Sequence, residues 1–128
     1  MPNQETKKLL AIVEDLMFAV KIGDAAKRSG LQAVFVKTEE DALTNASLSP
    51  LLVVLDLNLA RVHPVELIRT LKTGDAKHIP LIAFVSHVQG ELKQQAQDAG
   101  CDLVMARSAF SQNVQQILKR HAASAKVQ

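Results

Sequence analysis

The chain has 128 residues, 48% of them hydrophobic and 22% charged, which suits one globular domain with a single core. Fifteen basic against thirteen acidic side chains leave a formal net charge of +2, too balanced for a nucleic-acid or membrane-surface binder. No apolar run approaches the roughly 20 residues of a membrane span, the polar stretch from Met1 to Lys8 is no secretory signal, and the single cysteine, Cys101, excludes an internal disulfide and points to a reducing compartment.

Two kinds of segment then alternate along the chain. Leu9-Leu10-Ala11-Ile12-Val13 is short, branched and apolar on both faces, as in a parallel strand covered by helices on each side. Phe18, Ile22, Ala25 and Ala26 follow at helical spacing, and Gly30 can end that helix. Ala33-Val34-Phe35-Val36 is a second strand, after which Thr38 can cap a helix holding Ala42, Leu43 and Ala46. Leu51-Leu52-Val53-Val54-Leu55 is a third strand. Pro64 suits the first position of the next helix, with Val65, Ile68 and Leu71 on its inner stripe. Leu81-Ile82-Ala83-Phe84-Val85 is a fourth strand, and Leu92, Ala96 and Ala99 form a fourth stripe closed by Gly100. Cys101 reads as a small core residue ahead of a fifth strand, Leu103-Val104-Met105. Val114, Ile117, Leu118 and His121 complete the pattern, with Ser111 as a cap.

Five strands alternating with five helices, joined by right-handed crossovers, predict an α/β fold: a doubly wound five-stranded parallel sheet in one domain over 1–128, with its core from about residue 8 to 122. Such sheets bind ligands at the carboxyl ends of their strands. Glu14 and Asp15 follow the first strand here. Asp56 ends the third as a surface aspartate, Ser86 ends the fourth, and Arg107 follows the fifth. Three carboxylates on one rim repel one another, which favours a bound divalent cation. Oxygen donors suit Mg²⁺, or Mn²⁺ in its place.

At these residues the chain resembles the receiver domain of two-component response regulators, from about Lys8 to Ala122. Ile12-Val13-Glu14-Asp15 is similar to the acidic pair after the first strand, and Asp56-Leu57-Asn58-Leu59 to the phosphoacceptor segment. Ile79-Pro80-Leu81 leading to Ser86 resembles the fourth strand with its hydroxyl residue, and Ala99-Gly100-Cys101-Asp102 the approach to the fifth. The resemblance implies a flavodoxin-like receiver fold with Asp56 as phosphoacceptor, taking its phosphoryl group from a histidine kinase or a small phosphodonor. It implies that Asp15, Asp56 and the backbone carbonyl of Asn58 hold the metal, that Glu14 acts through metal-bound water, and that Ser86 hydrogen-bonds a phosphoryl oxygen. A cytoplasmic monomer or weak homodimer is implied, with a downstream protein partner on the face of the fourth helix, fifth strand and fifth helix, which would include Lys93, Gln97, Gln115 and Lys119. No catalysis beyond phosphoryl acceptance and slow self-dephosphorylation is implied.

Four positions depart from the family pattern. Arg107 stands where the family has a lysine, and a planar fork is a poor substitute for a compact point charge. It could equally be a solvated loop arginine. Val104 replaces an aromatic that swings inward on activation, and reads as core. His87 follows Ser86 where the family has a small residue; it could narrow access to Asp56 or donate to phosphate. The loop Ala60-Arg61-Val62-His63-Pro64 carries no glycine, and His63 reads as a helix-flanking residue. Two further readings compete with the phosphoacceptor. One is a receiver-like interaction module that has lost switching. The other, more remote, is a metal-dependent phosphohydrolase, disfavoured because Asn58 stands where such enzymes carry a second aspartate.

Overall fold

A computed structural model of the chain describes residues 7–60, 62–86 and 90–126. Strand β1 (Lys7–Ile12) leads to helix α1 (Leu16–Arg28), then β2 (Leu31–Val36), α2 (Glu39–Ala46), β3 (Leu52–Asp56) and α3 (Pro64–Thr73). The chain continues through β4 (Leu81–Val85), α4 (Gly90–Asp98), β5 (Leu103–Ala106) and α5 (Arg107–Lys126). All pairings are parallel, and the strand order is β2-β1-β3-β4-β5. The order reverses direction after β1, so the crevice between the carboxyl ends of β1 and β3 is the topological switch point.

Alternation of side chains across the sheet divides the core into two layers. Leu10, Ile12, Val53, Leu55, Leu81 and Ala83 face α2, α3 and α4. Leu9, Ala11, Leu52, Val54, Ile82 and Phe84 face α1 and α5. Both central strands, β3 and β4, are buried throughout, as their unbroken apolar runs predict. The edges behave differently: Phe35 on β2 and Leu103 on β5 are exposed, because an edge strand has a neighbour on one side only.

The helix signals perform as expected in three places. Phe18, Ile22, Ala25 and Ala26 form the buried stripe of α1, and Gly30 follows its C-cap with φ 79°. Thr38 accepts from the Asp41 N–H at 3.1 Å and caps α2. Pro64 opens α3. Other expectations need correcting. Leu43 is exposed, because the short α2 buries only Ala42 and Ala46. Ser111 is no cap: α5 begins four residues earlier, directly at Arg107, with no loop after β5. Starting the helix there turns Phe110 into the core, where it is fully buried and stacks on Phe84 at 5.2 Å between ring centroids. Gln115 also lies elsewhere than expected, reaching the Ser29 hydroxyl at the end of α1 at 3.4 Å rather than joining the α4-β5-α5 face.

At the amino end of the sheet, Asp102 accepts from the Leu81 N–H at 2.8 Å and from Lys72 Nζ at 2.9 Å. Lys72 also donates to the Ile79 carbonyl at 2.9 Å. This lysine bolts α3 to the start of β4 and β5. Gly100 lies beside it at φ 111°, and a Cβ there would come within 2.9 Å of Lys72 Cβ, so only glycine fits.

Candidate functional site

The carboxyl ends of β1 and β3 and the start of α5 line one open cleft, to which Glu14, Asp15, Asp56, Asn58 and Arg107 all contribute. Asp56 is the last residue of β3 and forms its floor. The sequence marks it as a surface aspartate, but it is only 6% exposed, the one buried charged residue among those described. The strand carries it down to the level of Phe84, its register partner on β4. Its Oδ1 accepts from the Asn58 N–H at 2.8 Å. Burial raises the pKa of this carboxyl above the ordinary value. The Asn58 N–H and the Arg107 charge work against that, and the charges of Asp15 and Glu14 add to it.

Asp15 stands one residue before α1 and serves as its N-cap: Oδ1 accepts from the Phe18 N–H at 3.1 Å. Oδ2 accepts from Arg107 Nη2 at 2.7 Å. The Phe18 N–H, and after it the arginine, hold the Asp15 carboxyl below its ordinary pKa. Glu14 is half-buried at the same rim.

Arg107 is not a loop residue, and its side chain is only partly exposed. As the first residue of α5 it reaches back across the cleft, with Nη1 3.9 Å from Asp56 Oδ2. Its guanidinium lies over the Phe18 ring, 4.4 Å from the centroid, and 5.7 Å from that of Phe84. Phe18, Phe84 and Phe110 form one aromatic cluster, so the cation rests on the top of the core. The closer carboxylate partner of Arg107 is therefore Asp15. Sequence reasoning missed this, although Phe18 lies three residues after Asp15 and could have been seen as a platform.

Ser86 directly follows β4, on the far side of Asp56. Its N–H and its hydroxyl both donate to Asn58 Oδ1, at 2.8 and 3.0 Å. Asn58 thus has two jobs that sequence spacing did not reveal: its N–H fixes Asp56, and its side chain ties β3 to β4. Val104 is buried in the core, as expected. His63 occupies the N-cap position of α3 without a side-chain capping bond. His87 lies outside the described residues.

Among the described residues, no three His, Cys, Asp or Glu side chains stand close enough to hold a metal ion together. Glu14, Asp15 and Asp56 nonetheless all line the one cleft. Asp15 turns to cap α1 and pair with Arg107, and one guanidinium comes between the two aspartates. The donors suit a hard divalent ion in kind, since the carboxylates of Asp15 and Asp56 line one cleft together with Asn58. A cation, the guanidinium, already sits against both carboxylates.

The chain matches no protein-family model and no curated protein sequence. Its likeness lies in structure. The phosphorylated cyanobacterial phytochrome response regulator RcpA is 20% identical, with 91% of each chain covered and a TM-score of 0.76. A CheY-like response regulator receiver domain protein from Methanospirillum hungatei is 14% identical, over 95% of this chain and 98% of that one, with a TM-score of 0.80. The receiver domain of a sensor histidine kinase from Pseudomonas aeruginosa, which carries a magnesium ion in its active site cleft, is 16% identical over 93% and 99%, at 0.78. The chain therefore has the flavodoxin-like fold of response regulator receiver domains.

Proposed function

We propose that the chain is a receiver module of two-component signalling that accepts a phosphoryl group on Asp56. A histidine kinase or a small phosphodonor supplies the group, and a downstream protein partner reads the result. The observation that carries this reading is the setting of Asp56: a buried carboxylate at the floor of an open cleft, with Oδ1 fixed by the Asn58 N–H and Oδ2 turned toward Arg107.

Oδ2 attacks phosphorus, the bond from phosphorus to the donor's leaving atom breaks, and an acyl phosphate forms on Asp56. Transfer of this kind depends on positioning and on neutralising the charge of the phosphoryl oxygens. Arg107, 3.9 Å from Oδ2 before metal binds, would move from Asp15 to pair with the phosphoryl oxygens. The Ser86 hydroxyl rotates from Asn58 Oδ1 to a phosphoryl oxygen. Asp15, Asp56 and the Asn58 carbonyl would hold Mg²⁺ or Mn²⁺, with Glu14 acting through its water. The ion would neutralise the carboxylates and the incoming phosphoryl group together. The module has no catalytic task beyond this acceptance and slow self-dephosphorylation. With a histidine kinase as its phosphodonor, the module would act in the cytoplasm. Among the described residues no helix is long and apolar enough to cross a membrane.

Intact mass after incubation with acetyl phosphate and Mg²⁺ tests the reading: one labile phosphoryl mass is expected on wild type and none on Asp56→Asn. One observation favours a second reading. Arg107 closed on Asp15, with Ser86 engaged by Asn58, is also what a phosphorylation-independent interaction module would show. Failure of every variant to take up phosphoryl supports that module.

A further inference from the structure

We infer that Arg107 is a resident cation of the cleft that competes with divalent metal for Asp15, so that metal binds only as the guanidinium leaves. The inference rests on the reading of the cleft as a phosphoacceptor site. Three observations carry it. Arg107 Nη2 holds Asp15 Oδ2 at 2.7 Å, a short charge-assisted hydrogen bond on the oxygen that does not cap α1. The same head stands 3.9 Å from Asp56 Oδ2, so a single cation faces the two carboxylates that would bind the metal. It is also held from below, 4.4 Å above the Phe18 ring, and its side chain is only 30% exposed.

Two cations of combined charge +3 cannot share two carboxylates at contact distance without mutual repulsion. Either ion satisfies the pair alone. The protein can therefore partly neutralise its acceptor site without metal, and metal affinity is lowered by the cost of displacing the arginine. A lysine has no planar head to lie on Phe18 while donating sideways to Asp15, so the competition follows from the arginine in particular.

The test is a calorimetric titration with Mn²⁺ alone on wild type, Arg107→Gln and Phe18→Leu. Removing a part-exposed ion pair that also rests on an aromatic ring should raise Mn²⁺ affinity about tenfold in Arg107→Gln. Phe18→Leu keeps the arginine but takes away its support, so it should shift affinity in the same direction by less. It also keeps the test valid should Arg107→Gln not fold. Asp15→Asn should abolish the gain. Equal or weaker Mn²⁺ binding in both variants, including no binding by any protein, overturns the inference. Phosphoryl mass on wild type with no affinity gain removes the inference and leaves the phosphoacceptor standing. An affinity gain without phosphoryl mass does the reverse.

Discussion

The hydroxyl and the N–H of Ser86 both donate to one acceptor, the Oδ1 of Asn58, at 3.0 and 2.8 Å. The residue two places after Asp56 thus holds the hydroxyl that the site would use, and β3 and β4 are joined at their carboxyl ends by a side chain as well as by their ladder.

Ser86→Ala should separate a chemical role from a structural one. The backbone N–H of residue 86 still reaches Asn58, so stability should change by no more than about 0.5 kcal/mol. Phosphorylation by acetyl phosphate should slow by roughly tenfold or more, because a donor to the phosphoryl oxygens is gone. Urea unfolding and time-resolved intact mass read the two effects. Unchanged phosphorylation would show that the hydroxyl only braces Asn58.

Asp56→Asn should stabilise the protein at neutral pH. Burial is the largest influence on this carboxyl, and it raises the folded pKa above the unfolded one. A carboxyl raised in the folded state favours folding as it takes up its proton and opposes folding when ionised. The ionised group thus costs stability above its folded pKa, and that cost fades as pH falls through the folded value toward the unfolded one. The melting temperature of Asp56→Asn should exceed that of wild type by roughly 2–5 °C at pH 7, and the difference should disappear near pH 3–4, about the unfolded carboxyl range. Calorimetry suits a chain with no Trp or Tyr.

Lys72→Met should destabilise by about 2 kcal/mol. The substitution removes a charge-assisted bond to Asp102 and leaves the Ile79 carbonyl without its lysine donor. Chemical denaturation measures the loss, and metal affinity should not change, because Lys72 lies at the opposite end of the sheet from Asp56. A shift in Mn²⁺ affinity would contradict that separation.

Much of the fold was legible because its signals are local. The runs Leu51–Leu55 and Leu81–Val85 are too apolar for any place but the sheet centre, and both lie there. Gly30 and Thr38 mark their helix ends through backbone chemistry that needs no tertiary partner. What failed depends on distance in sequence. Ser111 has the chemistry of a cap, but the packing of Phe110 against Phe84 draws α5 back to Arg107. The five residues of the rim were visible by position at strand ends. Their pairing was not, because Arg107 and Asp15 are 92 residues apart and the choice between Asp15 and Asp56 is made by Phe18 beneath the guanidinium. The burial of Asp56 was also hidden, since a strand's last residue can lie above or below the helices around it.

Arg107→Lys should speed phosphorylation of Asp56. A lysine leaves Asp15 more open to metal while keeping a cation for the phosphoryl group. The rate of mass gain with acetyl phosphate and Mg²⁺ should rise, and Asp56→Asn in the same background should abolish it. A rate equal to wild type would mean that the arginine is no obstacle.

The most direct test of the account is whether Asp56 takes a phosphoryl group at all. Wild type, Arg107→Lys and Asp56→Asn incubated with acetyl phosphate and Mg²⁺ are compared by intact mass before and after hydroxylamine, which cleaves acyl phosphates. The account predicts one phosphoryl mass on wild type and on Arg107→Lys, removed by hydroxylamine, and none on Asp56→Asn. Unmodified wild type and Arg107→Lys, or a phosphoryl mass that persists in Asp56→Asn, would contradict it.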